Sequence, residues 1–165
     1  MSDMIIRLAE PSDDAAIIAV TEDAFGQPDE ANIVRLLEEN GESLLSLVAT
    51  SEESIVAHFQ AFPIEVRGAH GGPVCGIGPI SVATDKQKKG IGSLLITEGL
   101  QRLKTMEQTI VFVLGDPAYY GRFGFSVAAT AGYSAPFGGP AFQALELLSG
   151  APAFGELAYP MAFSE

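Results

Sequence analysis

The chain has 165 residues, 47% of them hydrophobic, which suits one domain spanning residues 1–165 and a packed core rather than disorder. Its single cysteine, Cys75, excludes an intrachain disulfide framework, and with only two histidines, His58 and His70, on different segments, no metal site is expected. A formal net charge of −12 without broad basic surface sets nucleic-acid binding aside, and no apolar run reaches the ~18–20 residues of a membrane span.

The first ten residues, "MSDMIIRLAE", lack the basic flank and long apolar stretch of a signal peptide, so the expected location is the cytoplasm. Charge is unevenly spread. Residues 1–54 hold 13 acidic and 2 basic side chains, whereas residues 55–165 hold 8 and 7. The acidic half can attract a cationic substrate or serve as solvated surface.

In chain order, "MIIRLAE" is rich in β-branched residues and reads as a first strand. "PSDDAAIIAVTEDAF" opens a helix, with Ser12 as cap, Asp13 and Asp14 in the first turn, and apolar positions 16, 17, 20 and 24 on one face. Gly26 and Pro28 end it, and "DEANIVRLLEEN" is a second helix that stops at Asn40-Gly41. "SLLSLVAT" and "SIVAHFQAFPIEV" follow as strands, with "SEE" as the hairpin turn. "GAHGGP" is a loop, and "VCGIGPISVA" a strand that Pro79 bends or places at an edge.

The next segment, "TDKQKKGIGSLLITEGLQRLKTM", carries apolar residues 91, 94, 95, 100 and 103 at helical spacing. "TIVFVLG" is a continuous apolar run, the mark of a strand covered on both faces. "DPAYYGRFGF" combines a proline at a helix start with a glycine stop. From Ala128 onward the chain is rich in Gly, Pro and Ala, with a closing strand expected near "ELAYPMAF".

"QKKGIGSLL" is the stretch that asks for a ligand. Five of the nine basic residues fall within 86–104, and paired glycines stand where the helix begins. A helix N-terminus offers unpaired N–H groups and a positive dipole end, and glycine lets backbone approach an anion closely. The string is no P-loop, for no Gly-Lys pair occurs, and a dinucleotide fingerprint would need glycine where Leu95 stands.

Gln-x-x-Gly-x-Gly, from Gln87 to Gly92, resembles instead the pyrophosphate-binding motif of the GCN5-related N-acetyltransferases, which bind acetyl-coenzyme A. A second motif of that family is Tyr-x-x-x-Gly-Phe after an apolar strand, matched here by Tyr120, Gly124 and Phe125. The longer string "VFVLGDPAYYGRFGF" is similar to the YhbS-like subfamily, and the resemblance covers nearly the whole chain.

The resemblance implies an α+β (mixed α/β) fold with a central, mostly antiparallel sheet that splays at the cofactor-binding strand, near Ile80 to Val82. The pantetheine arm of acetyl-coenzyme A would then pair with the backbone of Ile80, Ser81 and Val82. Its pyrophosphate would rest on Gln87, Lys88, Lys89, Gly90, Ile91, Gly92 and Ser93. Tyr120 occupies the family's general-acid position, with packing against the cofactor as the other reading. Tyr119 reads as a core aromatic or a pocket wall. Asp116 stands where the wider family often has asparagine; it would orient the cofactor, bind a cationic substrate or cap the helix that starts at Pro117.

The base is open. Many family members use a glutamate on the strand before the phosphate loop, and "VCGIGPISV" contains no carboxylate. His58 titrates near neutrality in principle and is a candidate base, with a hydrogen-bonded structural histidine as the alternative. Cys75 reads as a small buried side chain rather than a nucleophile.

The function expected from the resemblance is acetyl transfer from acetyl-coenzyme A to the amine of a small molecule or peptide, by direct attack on the thioester. Rival readings are a non-catalytic acyl-coenzyme A-binding domain and a nucleotide binder. A homodimer is an assembly open to either.

Overall fold

The computed structural model describes residues 4–164. Strand β1 (Ile5–Leu8) leads through a 3-10 turn at Pro11–Asp13 into helix α1 (Asp14–Phe25) and, after Gly26, helix α2 (Asp29–Glu39). Strands β2 (Leu45–Ser51), β3 (Ser54–Arg67) and β4 (Val74–Val82) form a meander, followed by helix α3 (Ile91–Thr105) and strand β5 (Ile110–Leu114). The four-residue helix α4 (Pro117–Tyr120) comes next, then strands β6 (Tyr133–Ser134), β7 (Phe142–Glu146) and β8 (Gly155–Ala158). No helix among the described residues is long and apolar enough to cross a membrane.

The sheet runs β1-β2-β3-β4-β5-β7, with β8 on the far end of β3 and β6 beside β8. Every pairing is antiparallel except β4 with β5 and β6 with β8, so the mostly antiparallel sheet expected above is what forms. Glu52 and Glu53 take φ of 52° and 67°, the left-handed pair that a two-residue hairpin turn needs to match strand twist.

Alternation along the strands decides which helix covers which face. Leu47, Phe59 and Ala61 share a core with Ile91, Leu95, Ile96 and Leu103 of α3. Val48, one residue on from Leu47, packs instead with Ile17 of α1 and Val34 of α2. Phe59 shows why α3 lies so close: a Cβ on Gly99 would stand 2.4 Å from its ring, so only glycine lets the helix seat there. Full burial of such a phenylalanine contributes roughly 1.5–3 kcal/mol.

Two local expectations change. Ser12 does not cap α1. Asp13 stands at the N-cap position without a side-chain bond to the helix, because its carboxylate is turned back to the preceding 3-10 turn, accepting from Glu10 N–H at 2.7 Å, and pairs with Arg7 of β1 at 2.7 and 3.0 Å. The closing strand is limited to Gly155–Ala158, and the following residues turn into a 3-10 segment at Met161–Ser164.

The feature that makes a site is a gap. β4 pairs with β5 only at Val74, Cys75 and Gly76, opposite Ile110, Val111 and Phe112. Ile77 and then Ile80 to Val82 pair with β3 on one side, across an irregularity at Gly78 and Pro79, while the other edge of β4 has no strand partner among the described residues. β5 continues through Val113 and Leu114 on β7 alone. The splay therefore opens at Ile77, earlier than the Ile80–Val82 position expected from the sequence, and Pro79, which has no N–H to donate, stands just inside it.

Candidate active site

At the C-terminal end of β4 the chain turns through Thr84–Lys86 into α3. Gln87 Nε2 donates to Val82 O at 2.9 Å, tying the loop back to the strand end. Lys88 and Gly90 both take positive φ, 64° and 85°, and Gly90 is the N-cap of α3. The helical ladder begins with Leu94 N–H on Gly90 O at 3.1 Å, which leaves the N–H groups of Ile91, Gly92 and Ser93 at the open first turn.

These groups floor a cavity of about 310 Å³ lined by Val82, Lys86, Gln87, Lys88 and the first turn of α3. It is walled on the far side by Tyr119 and Arg122. A Cβ on Gly92 would come within 3.2 Å of the Tyr119 hydroxyl, so a side chain there would fill the cradle. Positive charge, free N–H donors and a helix dipole converge on one small volume, which is the chemistry of a phosphate site.

The second cavity, about 550 Å³, occupies the gap between β4 and β5. Ile77, Gly78, Pro79 and Ile80 line it from one strand, and Phe112 to Gly115 from the other. Tyr120 closes it at the end nearest the cradle. Successive residues of a helix point about 100° apart, so α4 sends Tyr119 into the cradle and Tyr120 into the gap. The two rings meet edge to face at 5.1 Å and join the cavities.

The Tyr120 hydroxyl has no hydrogen-bond partner among the described residues. Burial, and secondarily the neighbouring Tyr119, pushes its phenol up to about 12. It therefore keeps its proton across the working pH range, so its hydroxyl is available to hydrogen-bond to a developing thiolate.

The remaining expected residues scatter. Ile80 lines the gap cavity and Val82 the cradle, whereas Ser81 faces the opposite side of the sheet and is fully buried, directly across from His58. His58 lines neither cavity. Its Nε2 lies 2.7 Å from Ser46 Oγ, its Nδ1 is buried without a partner, and burial pushes its pKa down to about 4. The ring is held by Ser46 outside both cavities, an arrangement that fits the structural-histidine reading.

Asp116 caps α4 through Oδ1 on Ala118 N–H at 3.0 Å and lines neither cavity. Lys89 also stands outside the cradle lining, where Lys86 takes the place expected for it. Cys75 is buried, and burial pushes its thiol up to about 12, which suits a core side chain.

Two residues were not singled out in the sequence. Arg122 donates to Ser93 Oγ at 3.2 Å and stacks on the Tyr119 ring at 4.6 Å, so it is a fixed cation at the cradle. The signal for it was an arginine inside the Tyr120–Phe125 motif. Glu30, in the first turn of α2, is half-buried and is the one charged residue lining the gap cavity among the described residues. It precedes Ile33 and Leu37 by three and seven positions, on the helix's apolar face, and that spacing was its signal.

Comparison with known proteins agrees with this geometry. Residues 5–128 match the acetyltransferase (GNAT) domain family. An uncharacterized N-acetyltransferase, YhbS of Escherichia coli (strain K12), is 39% identical over 127 residues, covering 76% of this chain and 75% of that protein. A second from the same strain, YjhQ, is 35% identical over 135 residues, covering 79% of this chain and 75% of that protein.

The crystal structure of E. coli YhbS in complex with CoA has a TM-score of 0.89 at 30% identity, covering 99% of this chain and 93% of that one. A GNAT family acetyltransferase from Brucella melitensis in complex with acetyl-CoA has a TM-score of 0.83 at 36% identity, covering 97% of each chain. With the family match spanning most of the sequence, and the splayed strand and glycine-capped helix in place, the chain belongs to the GNAT acetyltransferase family.

Proposed function

We propose that this acetyltransferase moves an acetyl group from acetyl-coenzyme A to an amine, using the gap between β4 and β5 as its reaction chamber. The observation that carries the proposal is the unpaired edge of β4 from Ile77 to Val82, which leads directly into the cradle at Gly90–Ser93. An extended, amide-bearing arm can add to such an edge as a strand would, and its charged end then meets the helix N-terminus. That relatives were crystallised with CoA and acetyl-CoA supports the same occupancy here.

Bound acetyl-coenzyme A supplies a thioester carbonyl already open to nucleophilic attack. What the chain adds is placement and polarity. The free edge holds the donor beside the gap, so the two reactants meet as neighbours rather than by collision. Free backbone N–H groups on that edge are available to polarise the carbonyl oxygen. The ammonium first loses one proton to water in the open cavity, so that a neutral amine attacks. The new C–N bond forms as the C–S bond breaks, the Tyr120 hydroxyl gives its proton to the departing sulfur, and the second proton, shed by the nitrogen as it becomes an amide, returns through water to the phenolate.

Tyr120→Phe removes the donated proton while keeping the ring. With an accepted amine, kcat falls by roughly one hundred-fold, the lower end of general-acid effects because a thiolate leaves readily, while the Kd for acetyl-coenzyme A stays unchanged. An unchanged kcat would take Tyr120 out of the mechanism.

A further inference from the structure

The wall of the gap cavity opposite the strand edges is not needed to hold an acyl donor, and its composition is unusual for an acidic chain. Phe25 and Ile33 reach in from α1 and α2, and Phe137, Tyr159 and Phe163 from the C-terminal region. The aromatic rings brace one another: Tyr159 meets Phe137 edge to face at 4.9 Å and Phe163 at 5.7 Å. Phe62, from β3, lies 4.5 Å from Phe163 and completes the box. Set into this apolar wall is one carboxylate, Glu30, accepting from Gln27 Nε2 at 3.0 and 3.3 Å.

The other acidic side chains of this half do not share the chamber. Glu10, Asp14, Glu38 and Glu39 border a separate cavity between α1 and α2, whereas Asp23 is turned to the Thr84 N–H at 2.8 Å. The chamber therefore presents one negative charge to its occupant, not a field of them. Its volume of about 550 Å³, shared with the acyl end of the donor along the β4 edge, leaves room for a small acceptor rather than a large one.

We propose that the acceptor is a primary amine carried on an apolar body, aromatic or aliphatic, with its ammonium received by Glu30 and its body packed against Phe137, Tyr159 and Phe163. This rests on the acetyltransferase reading above and adds the substrate class to it. A single ammonium finds a single partner, and the rest of the molecule loses apolar surface to an apolar wall. A polyamine or aminoglycoside would carry further charges into a chamber with no second carboxylate, and a buried unpaired charge is strongly disfavoured.

The test uses the full chain, acetyl-coenzyme A and coenzyme A release, with n-alkylamines from propyl to hexyl, 2-phenylethylamine, spermidine and an amino-acid amide as acceptors. The expected result is a kcat/KM that rises roughly three- to four-fold per added methylene until the chamber is filled. 2-Phenylethylamine then exceeds spermidine by ten-fold or more. Glu30→Gln raises the KM for the amine about ten-fold and leaves the Kd of acetyl-coenzyme A, read by calorimetry, where it was; Glu30→Asp recovers part of the loss.

A flat alkylamine series, a preference for spermidine, or no effect of Glu30→Gln on amine KM overturns the acceptor class. So does turnover of none of the apolar amines by protein that binds acetyl-coenzyme A. Failure of the wild type to bind acetyl-coenzyme A is a different result, for it overturns the acetyltransferase reading and this one with it.

Discussion

The ring of Tyr120 occupies the space beside Gly115 that a side chain would take: a Cβ built on Gly115 would stand 2.4 Å from Tyr120 Cε2 and 2.9 Å from Cδ2. Gly115 directly follows the strand that forms one wall of the gap, and the absent side chain is what leaves room for the phenol in the cavity that Ile80 also lines. The position of the proposed acid is thus set by a residue that bears no functional group.

Gly115→Ala tests that dependence. Gly115 does not use a left-handed backbone conformation, so alanine is compatible with its fold and the strain falls on the ring. The expected outcome is a kcat lowered at least about ten-fold, since a displacement near 1 Å at reacting groups can cost one hundred-fold. Thermal stability and the Kd for acetyl-coenzyme A stay close to wild type. Steady-state kinetics beside a melting curve and a calorimetric titration separate these outcomes; an unchanged kcat would mean that the ring need not be held where it is.

His58 links the fold to pH. Its folded-state pKa is pushed down to about 4 by burial, whereas an unfolded histidine titrates near ~6.5. Above pH ~6.5 neither state carries the proton and the buried ring contributes fully. As pH falls from there toward 4, the unfolded chain gains a proton that the folded chain refuses, so stability declines by at most ~1.4 kcal/mol per pH unit, about 3 kcal/mol in all. Urea unfolding at pH 7 and pH 5 measures the slope, and His58→Gln should lose it. An equal slope in that variant would assign the effect to other groups.

Much of this architecture is legible in the sequence because long segments carry one clear period. Of the apolar positions spaced for a helix, Ile91, Leu95 and Leu103 became the buried face of α3 while Leu94 stands exposed, and the unbroken run from Ile110 became a strand covered on both sides. β7 was not legible. Phe142–Glu146 is a short run beside a Gly/Pro-rich stretch, and it is a strand because the free edge of β5 is there to pair with it. The same limit explains Ser12: its claim to the helix cap is sound locally, but the 3-10 turn at Pro11–Asp13, whose Asp13 is held by Arg7 on another element, shifts the helix start to Asp14.

The site divides in the same way. The cradle is a contiguous loop, so its residues could be read as a motif; that Lys86 rather than Lys89 lines it was not legible, because side-chain direction in a loop with Lys88 at positive φ does not follow from residue order. Glu30 belongs to α2 and meets the gap only after α1 and α2 fold over β3 and β4. Arg122 reaches Ser93 across 29 positions of sequence. Distances of that kind leave no local trace.

Arg122 supplies a further prediction. Stacked on Tyr119 and bonded to Ser93, it holds a charge at the cradle without freedom to wander. Arg122→Ala is expected to weaken acetyl-coenzyme A about ten-fold at low salt, the scale of one hydrogen bond to a charged group, and less as ionic strength rises. Binding of acetyl-pantetheine, which lacks the pyrophosphate, should not change. An equal loss for both ligands would place Arg122 elsewhere in binding.

The proposal as a whole stands on the cradle at the start of α3, and Gly92 is the residue to change there. A glutamate at this position would project into the space between Val82 and the Tyr119 hydroxyl and bring a negative charge to a site built for one. Calorimetric titration of acetyl-coenzyme A should give micromolar binding to the wild type and none to Gly92→Glu, with both proteins melting alike. Equal affinity for the two, or no binding to either, would mean that the glycine-capped helix start holds no pyrophosphate and that the ligand of this fold has to be sought elsewhere.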